Sequence, residues 1–496
     1  MIKSYNDYIT EISADELYEG LLAHGLFSDN LPPIFSAESF YDYCLTVSNF
    51  ATGEQDYVSF DIMRNLNVPR TLGIPNPMLY QKLCAVLRDN WSDIQTHFKE
   101  QTKNQTYKIS RLHIRKLKNK KAIFEMNYDN WRKDGTPEVD LLLGCHFLVE
   151  TDISTCFPSI YTHAIPWALV GKNVAKSSRR SGWYNEIDKA CRNLRNGETH
   201  GLMIGPHAFN LISEIILTVI DKRLCEKGWE FIRNIDDYKC YVKTYEEAQT
   251  FLLQLAEELR EFDLPLNYKK TSICELPTAL TEDWVRQLNS VRLVASYGKV
   301  GYKDVNSYFD LAIKLMHDNQ MNAAVLKYAI KTLAAQPLTN NAKNLSAKIT
   351  MHLAGVYPYL FSLLEEYVFN AFKISINQIK EFSNEIFGEL VNKNYFEAQC
   401  YTIFYSLKYN FILKDISLDY ILKSNNCVLK LFGWLYFKKY GTTAEQKQIR
   451  NHAKLLKNTE MGRNWLFVYE VLSQSDLTGD WKPMKKAGVT FLVGGL

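Results

Sequence analysis

Hydrophobic and polar positions change rhythm several times along the chain. Cys145-His-Phe-Leu-Val-Glu-Thr-Asp152 is mostly apolar until it ends on an acid, which predicts a strand delivering Asp152 at its tip. A helix start follows through Ile153–Ile160 into Tyr161-Thr-His163-Ala-Ile-Pro166-Trp167. Thr199-His-Gly201-Leu-Met-Ile-Gly205-Pro206 reads as a glycine-punctuated turn, and Ala208 to Asp221 carries helical apolar spacing. Trp229–Arg233 and Tyr238–Val242 are strand-like runs with Asn234-Ile-Asp236-Asp237 in the tight turn between them. A helix over Tyr245–Phe262 then leads to Leu266-Asn267-Tyr268-Lys269-Lys270-Thr271.

Beyond these elements the period is helical throughout. Helices are predicted at 305–317, 322–335, 342–353, 357–372, 377–392, 396–409, 419–439, 443–456 and 460–473. Their lengths and short connections suggest an irregular solenoid of stacked helix pairs, although no fixed-period repeat is present. The boundary before this half is expected between Thr281 and Lys303.

Composition narrows the picture. A chain of 496 residues is expected to hold two or three domains, each with a real core. The net charge of +3 means that any affinity for nucleic acid must come from local patches. The 10 cysteines are scattered without a Cys-x-x-Cys pair, so reduced thiols in a cytosolic protein are expected rather than a zinc site. No signal-peptide core and no membrane-length apolar run is seen.

The acids then carry the chemistry. An Asp-Asp pair alone is most often a solvated turn. Carboxylates on neighbouring strands, however, can hold two divalent metals about 4 Å apart, the arrangement that drives nucleotidyl transfer. Mg²⁺ suits carboxylate oxygens and leaves positions for water and phosphate, and Mn²⁺ is the alternative. Asp152, Asp236 and Asp237 are therefore the candidate catalytic and metal-binding residues, with Ile153 beside Asp152 completing the metal set.

Four elements in this order resemble the palm of a reverse transcriptase. Asp152 with Phe157 five residues on is similar to the superfamily's strand Asp and aromatic. Gly201-Leu-Met-Ile-Gly205 stands for its Gly-x-Pro-x-Gly turn, Asn234-Ile-Asp236-Asp237 for its Tyr-x-Asp-Asp hairpin, and Leu266–Thr271 for its Leu-Asn-x-x-Lys-Thr. Val68-Pro-Arg70-Thr-Leu-Gly-Ile74-Pro75 resembles its finger segment. Tyr161–Trp167, Gly171-Lys172 and Glu198-Thr-His200-Gly201 narrow the match to bacterial abortive-infection reverse transcriptases of the AbiK type, in a prophage-encoded member. By motif the resemblance covers roughly residues 40 to 280.

The resemblance implies an α/β plus all-α chain in three parts. These are an N-terminal segment and fingers over 1–140, an antiparallel palm over 141–290, and a HEAT-like helical-repeat domain over 291–496 without an ordinary thumb. It implies a cytoplasmic bacterial DNA polymerase that uses dNTPs, needs no template, and starts on a Tyr hydroxyl. Its single-stranded DNA product stays covalently attached to the protein. It also implies homo-oligomerisation and a role in anti-phage abortive infection. The alternatives are a templated RNA-dependent DNA polymerase of retron or mobile-intron type, or a non-catalytic palm serving as an interaction module. Asn234 and Met203 replace the Tyr and Pro of the family pattern, which puts templated copying in question.

Other residues enter with two readings. The run 101–124 is acid-free, with Arg111, Arg115, Lys116, Lys118, Lys120 and Lys121, and Lys172, Lys176, Arg179 and Arg180 lie in a second acid-free span. Such runs are usually solvated faces; beside a palm, Arg70, Arg111 and Arg115 become candidates for neutralising a triphosphate. Phe157 is either a core aromatic or, as the resemblance implies, the ring beneath the sugar that excludes a 2′-hydroxyl. The resemblance puts Gly205 in the nucleotide-side turn and makes Lys270 a proton donor to pyrophosphate, against the reading of a solvated strand-end Lys. His163 and His200 are read as structural. Among 30 tyrosines, Tyr8 is the candidate primer, against the commoner packing role.

Overall fold

The computed structural model describes residues 3–117, 122–125, 135–178, 181–279, 281–291, 293 and 298–494. It is a mainly helical chain with small antiparallel sheets. Two hairpins come first: β1 (Val58–Met63) with β2 (Pro69–Ile74), and the short β3 (His113–Ile114) with β4 (Phe124–Glu125). The central sheet is built from β5 (Phe147–Asp152), β6 (Phe231–Asn234), β7 (Asp237–Val242) and β8 (Ser272–Glu275), in the order β6-β7-β5-β8. All its pairings are antiparallel.

β5 is central because its residues are apolar on both faces, with Leu148 and Val149 both buried. The helix Tyr245–Glu261 packs on β5 and β7 through Ala248, Phe251, Leu255 and Leu259, an apolar stripe at helical spacing. Thr244 and Glu247 start that helix with a reciprocal capping box. The helix His207–Glu226 is buried along most of its length, as its nearly continuous apolar run requires.

From Tyr302 onward every element among the described residues is helical. Most predicted helices appear within a few residues of their expected ends, and two are broken. The stretch 357–372 begins as a 3₁₀ turn at Pro358 and passes through an α segment into a π segment, Glu365–Asn370. The stretch 419–439 splits into Leu418–Lys423 and Cys427–Tyr440. There the Asn426 side chain accepts from Leu429 N–H at 2.9 Å, so the Ser-Asn-Asn sequence ends one helix and caps the next.

One hydrophobic core runs from the N-terminal helices through the central sheet into these later helices. The later helices grip the first hairpin. Trp465 Nε1 donates to Ile74 C=O at 3.3 Å, and Asn65 Oδ1, at the hairpin tip, accepts from Ala323 N–H at 3.0 Å. The chain end returns to its start, where Val493 N–H donates to Ile34 C=O at 2.8 Å.

Glu397 joins the same interface. Its Oε2 accepts from Met63 N–H at 2.8 Å, and burial pushes its carboxyl up to about 7, against the pull of that N–H and of Lys327. The folded value lies above the ordinary 4.5, so this group's contribution to stability is full below that pH and is lost as pH rises to about 7. Glu397→Gln should flatten the dependence. Urea midpoints measured between about pH 5 and about pH 8 should fall less in the variant than in the wild type; equal slopes would remove Glu397 as the cause.

Among the described residues, no helix is long and apolar enough to cross a membrane.

Candidate active site

The pairing register brings the three acids to one end of the central sheet. Asp152, the last residue of β5, lies opposite Asp237, the first residue of β7. Asn234 pairs with Asp237 across a two-residue turn, Ile235-Asp236. Ile153 N–H donates to Asp236 C=O at 3.1 Å, which fastens the turn to the strand carrying Asp152. Like charges facing each other across strands oppose folding, so this end of the sheet is assembled against electrostatics.

Backbone strain marks the same place. Ile235 has φ of 57° and Thr155, just past Asp152, has φ of 46°. Both are β-branched residues in the left-handed region, which costs roughly 1–3 kcal/mol each and persists only where neighbours over-determine the chain. A two-residue hairpin ordinarily uses Asn or Gly at such a position.

Burial raises the Asp236 carboxyl above its ordinary range and Asp152 raises it further, while Lys270 and Arg70 pull it down. Asp237 opens to solvent on one side, yet partial loss of hydration, then Asp236 and Asp152, push it up to about 6. Asp152 is buried. Its Oδ2 accepts from Lys270 Nζ at 2.7 Å, and its buried Oδ1 has no hydrogen-bond partner.

Such a set has the donor chemistry of a hard divalent cation: carboxylate oxygens, one of them orphaned, in a cluster short of positive charge. Lys270 supplies one cation there. As the side chains stand, no three His, Cys, Asp or Glu among the described residues gather closely enough to ligate one ion.

The remaining candidates take different places. Arg70 is exposed on β2, opposite Ile62, and its charge reaches Asp236. Arg111 and Arg115 are buried, 6% and 1% exposed, too enclosed for a solvent-borne phosphate to reach. Arg111 Nη2 bonds Glu138 at 3.2 Å, and the Arg115 guanidinium lies 5.5 Å from the centre of the Tyr8 ring. Lys118, Lys120, Lys121, Arg179 and Arg180 lie outside the described residues.

Phe157 is half-buried in the short helix Cys156–Ser159, and its C=O accepts from Leu202 N–H at 2.7 Å. That bond ties the corner after Asp152 to the glycine turn. Gly205 has φ of 127°, and a Cβ there would meet Ser28 Cβ at 3.3 Å and Gly73 C=O at 3.4 Å. Gly73 N–H in turn donates to Ile204 C=O at 2.9 Å, so the turn is seated on β2. Met203, in the place of the expected Pro, packs its side chain against Gly73.

Tyr8 sits half-buried on the helix Tyr5–Thr10, with Lys3, Lys108 and Arg115 over its ring at 5.7, 5.2 and 5.5 Å. His163 Nδ1 lies 2.7 Å from Asp188 Oδ2, and His200 stacks on Tyr161 with centroids 4.8 Å apart. A cleft of about 520 Å³ lined by Ser159, His200, Arg260, Leu266 and Tyr268 adjoins this corner.

Motif reading passed over the cation behind the turn. Arg233, fully buried, donates to both oxygens of Asp221 (Nε at 2.9 and 3.0 Å, Nη2 at 2.6 Å) and from Nη1 to Glu214 at 3.1 Å. Nη1 also donates to Ile235 C=O at 2.7 Å. A signal was present: Glu214 and Asp221 are seven residues apart in an otherwise apolar helix, hence on one face, and two buried acids require a buried cation.

No protein-family model and no curated protein matches this chain. It is similar to solved structures of telomerase at low identity. Apo telomerase from Candida tropicalis truncated from the C-terminal domain matches at 10% identity and a TM-score of 0.33, over 48% of this chain and 54% of that one. Apo telomerase from Candida tropicalis matches at 9% and 0.33, over 87% and 71%. Telomerase from Candida albicans in complex with a fragment of telomeric RNA matches at 12% and 0.31, over 81% and 64%. The chain thus spans about half the length of the first of these.

Proposed function

We propose that this chain is a nucleotidyltransferase of the reverse-transcriptase superfamily that polymerises dNTPs. The observation that carries the reading is the convergence of Asp152, Asp236 and Asp237 at one sheet end, with a buried carboxylate oxygen left unpartnered. A folded protein has no energetic reason to gather like charges there unless a cation joins them. Two Mg²⁺ ions held by Asp152, Asp236, Asp237 and the Ile153 backbone would supply charge neutralisation and nucleophile activation.

In this reading Lys270, whose Nζ donates to Asp152 Oδ2 at 2.7 Å, would be the proton donor to the departing pyrophosphate. Arg70 faces the triphosphate from the first hairpin. Arg111 and Arg115 act through the framework, because their charges are buried.

The finer reading is untemplated synthesis primed on the protein in abortive infection, by a homo-oligomeric cytoplasmic enzyme with a HEAT-like C-terminal domain and no ordinary thumb. Tyr8 is the assigned primer. Its support is the exposed Lys3 ammonium over the ring, with Lys108 beside it, cations suited to a phosphate esterified at the phenol. Bond formation joins the Tyr8 oxygen to the α-phosphorus, expels pyrophosphate and releases the phenolic proton.

The test is incubation of purified protein with Mg²⁺ and labelled dNTPs, without nucleic acid. Label that survives denaturation with the protein supports the reading. Label that appears only with an RNA template supports the templated alternative, and none under either condition supports the non-catalytic palm.

Phe157→Ala should relax sugar selection. Its ring follows the candidate metal strand directly, so removing it should raise ribonucleotide use relative to deoxynucleotide about ten- to a hundredfold. Competition between the two triphosphates measures the ratio; an unchanged ratio would return Phe157 to a packing role.

A further inference from the structure

The strained turn needs a support that its own sequence does not provide. We propose that Arg233, with Asp221, Glu214 and Tyr5, is a positioning network that aims Asp236 and Asp237, and that Tyr5 makes the N-terminal helix part of it. The proposal rests on the metal-dependent reading above.

Four observations converge. Ile235 is held at φ of 57° with neither Gly nor Asn to ease it. Arg233 Nη1 donates to the Ile235 carbonyl at 2.7 Å, immediately before Asp236. The guanidinium is immobilised by Asp221 and Glu214, both fully buried on the helix His207–Glu226. Tyr5, on the helix Tyr5–Thr10, donates its hydroxyl to Glu214 Oε1 at 2.9 Å. A continuous chain of bonds therefore runs from the first helix to the peptide that carries Asp236.

The backbone of Arg233 is fixed as well. Its N–H donates to Ile109 C=O at 3.0 Å, and its C=O accepts from Arg111 N–H at 2.7 Å. β6 is thus held on its outer edge, and the side chain reaches around the turn from behind. Burial works against the Arg233 charge, and Asp221 and Glu214 outweigh it.

Buried ion networks of this kind are poor stabilisers, since apolar residues of equal volume often do as well. Their distinctive capacity is to fix one geometry. Partners behind metal-binding carboxylates characteristically change metal affinity on the order of tenfold or more when removed. Tyr5 also lies three residues before Tyr8, so its bond ties the seat of the assigned primer helix to the turn.

The experiment uses the full chain and two conservative variants, Tyr5→Phe and Arg233→Lys. Mn²⁺ binding is titrated by paramagnetic resonance, and incorporation of dNTPs is followed over a range of Mg²⁺ and nucleotide concentrations. Tyr5→Phe should raise the Mn²⁺ half-saturation on the order of tenfold and lower kcat, with KM for nucleotide little changed. Arg233→Lys, which keeps the charge but loses the fork, should show a larger shift in the same direction.

Hydrogen exchange over 231–242 should quicken in both variants. Unchanged Mn²⁺ binding in a folded Tyr5→Phe would overturn the proposal. A wild type that binds Mn²⁺ but incorporates nothing, with variants still shifted, would overturn the polymerase reading and leave the network standing. A wild type that binds no Mn²⁺ would overturn both.

Discussion

Asp236→Asn should lower nucleotide incorporation about a thousandfold or more, roughly 4 kcal/mol of barrier, while leaving the protein at least as stable as the wild type. The two halves of this result have one cause. Burial and Asp152 both raise the Asp236 carboxyl, so in the cation-free fold its charge is a liability. An amide of nearly equal shape removes that repulsion and relieves Asp237, which Asp236 helps push up to about 6. The same amide is a weak ligand for Mg²⁺, and the charge that would hold the ion is lost. A side chain retained for packing or turn formation would behave in the opposite sense, losing stability and keeping activity. The measurement pairs denaturant unfolding with single-turnover incorporation; full activity in the variant, or stability lost together with activity, would remove Asp236 from the catalytic set.

What the sequence made legible follows from where its signals are local. The strand ending on Asp152 and the acid pair in a tight turn were readable because alternation, apolar runs and turn length each act over a few residues. The register sets Asp152 opposite Asp237, which makes Asn234 and Asp237 strand residues and leaves Asp236 as the acid of a two-residue turn, tighter than the run of residues suggests. Arg111 and Arg115 show the limit. Acid-free runs look like solvated basic faces, yet here the main chain between residues 109 and 115 pairs with β6 and with Ile123, and carries both guanidinia inward. That outcome depends on pairing partners more than a hundred residues away for β6, which no local pattern encodes. His163 is similar: Asp188, 25 positions on, reaches it only through the packing of two helices. The break at Asn426 was missed for a different reason, because apolar periodicity continues across it while side-chain capping ends the helix.

Arg233→Met should destabilise the fold by about 3–5 kcal/mol, the cost of leaving buried carboxylates without their cation. Asp221 and Glu214 are 0% and 1% exposed, so neither can turn to water, and with only the Tyr5 hydroxyl left on Glu214 the main relief is protonation. Burial already raises Asp221 to about 6 against the pull of Arg233, and without that pull it should be neutral at physiological pH. The loss should therefore be smaller at about pH 5 than at about pH 8, since acid supplies the missing protons. Adding Asp221→Leu and Glu214→Leu to Arg233→Met removes the stranded charges and should restore most of the stability. It cannot restore the bond to the Ile235 carbonyl, so incorporation and Mn²⁺ affinity should stay low in the triple variant. Denaturant midpoints for the single and triple variants, read beside Mn²⁺ titrations, separate the two roles. A stable triple variant with wild-type Mn²⁺ binding would mean that the strained turn holds itself, and that the buried charges serve the fold alone.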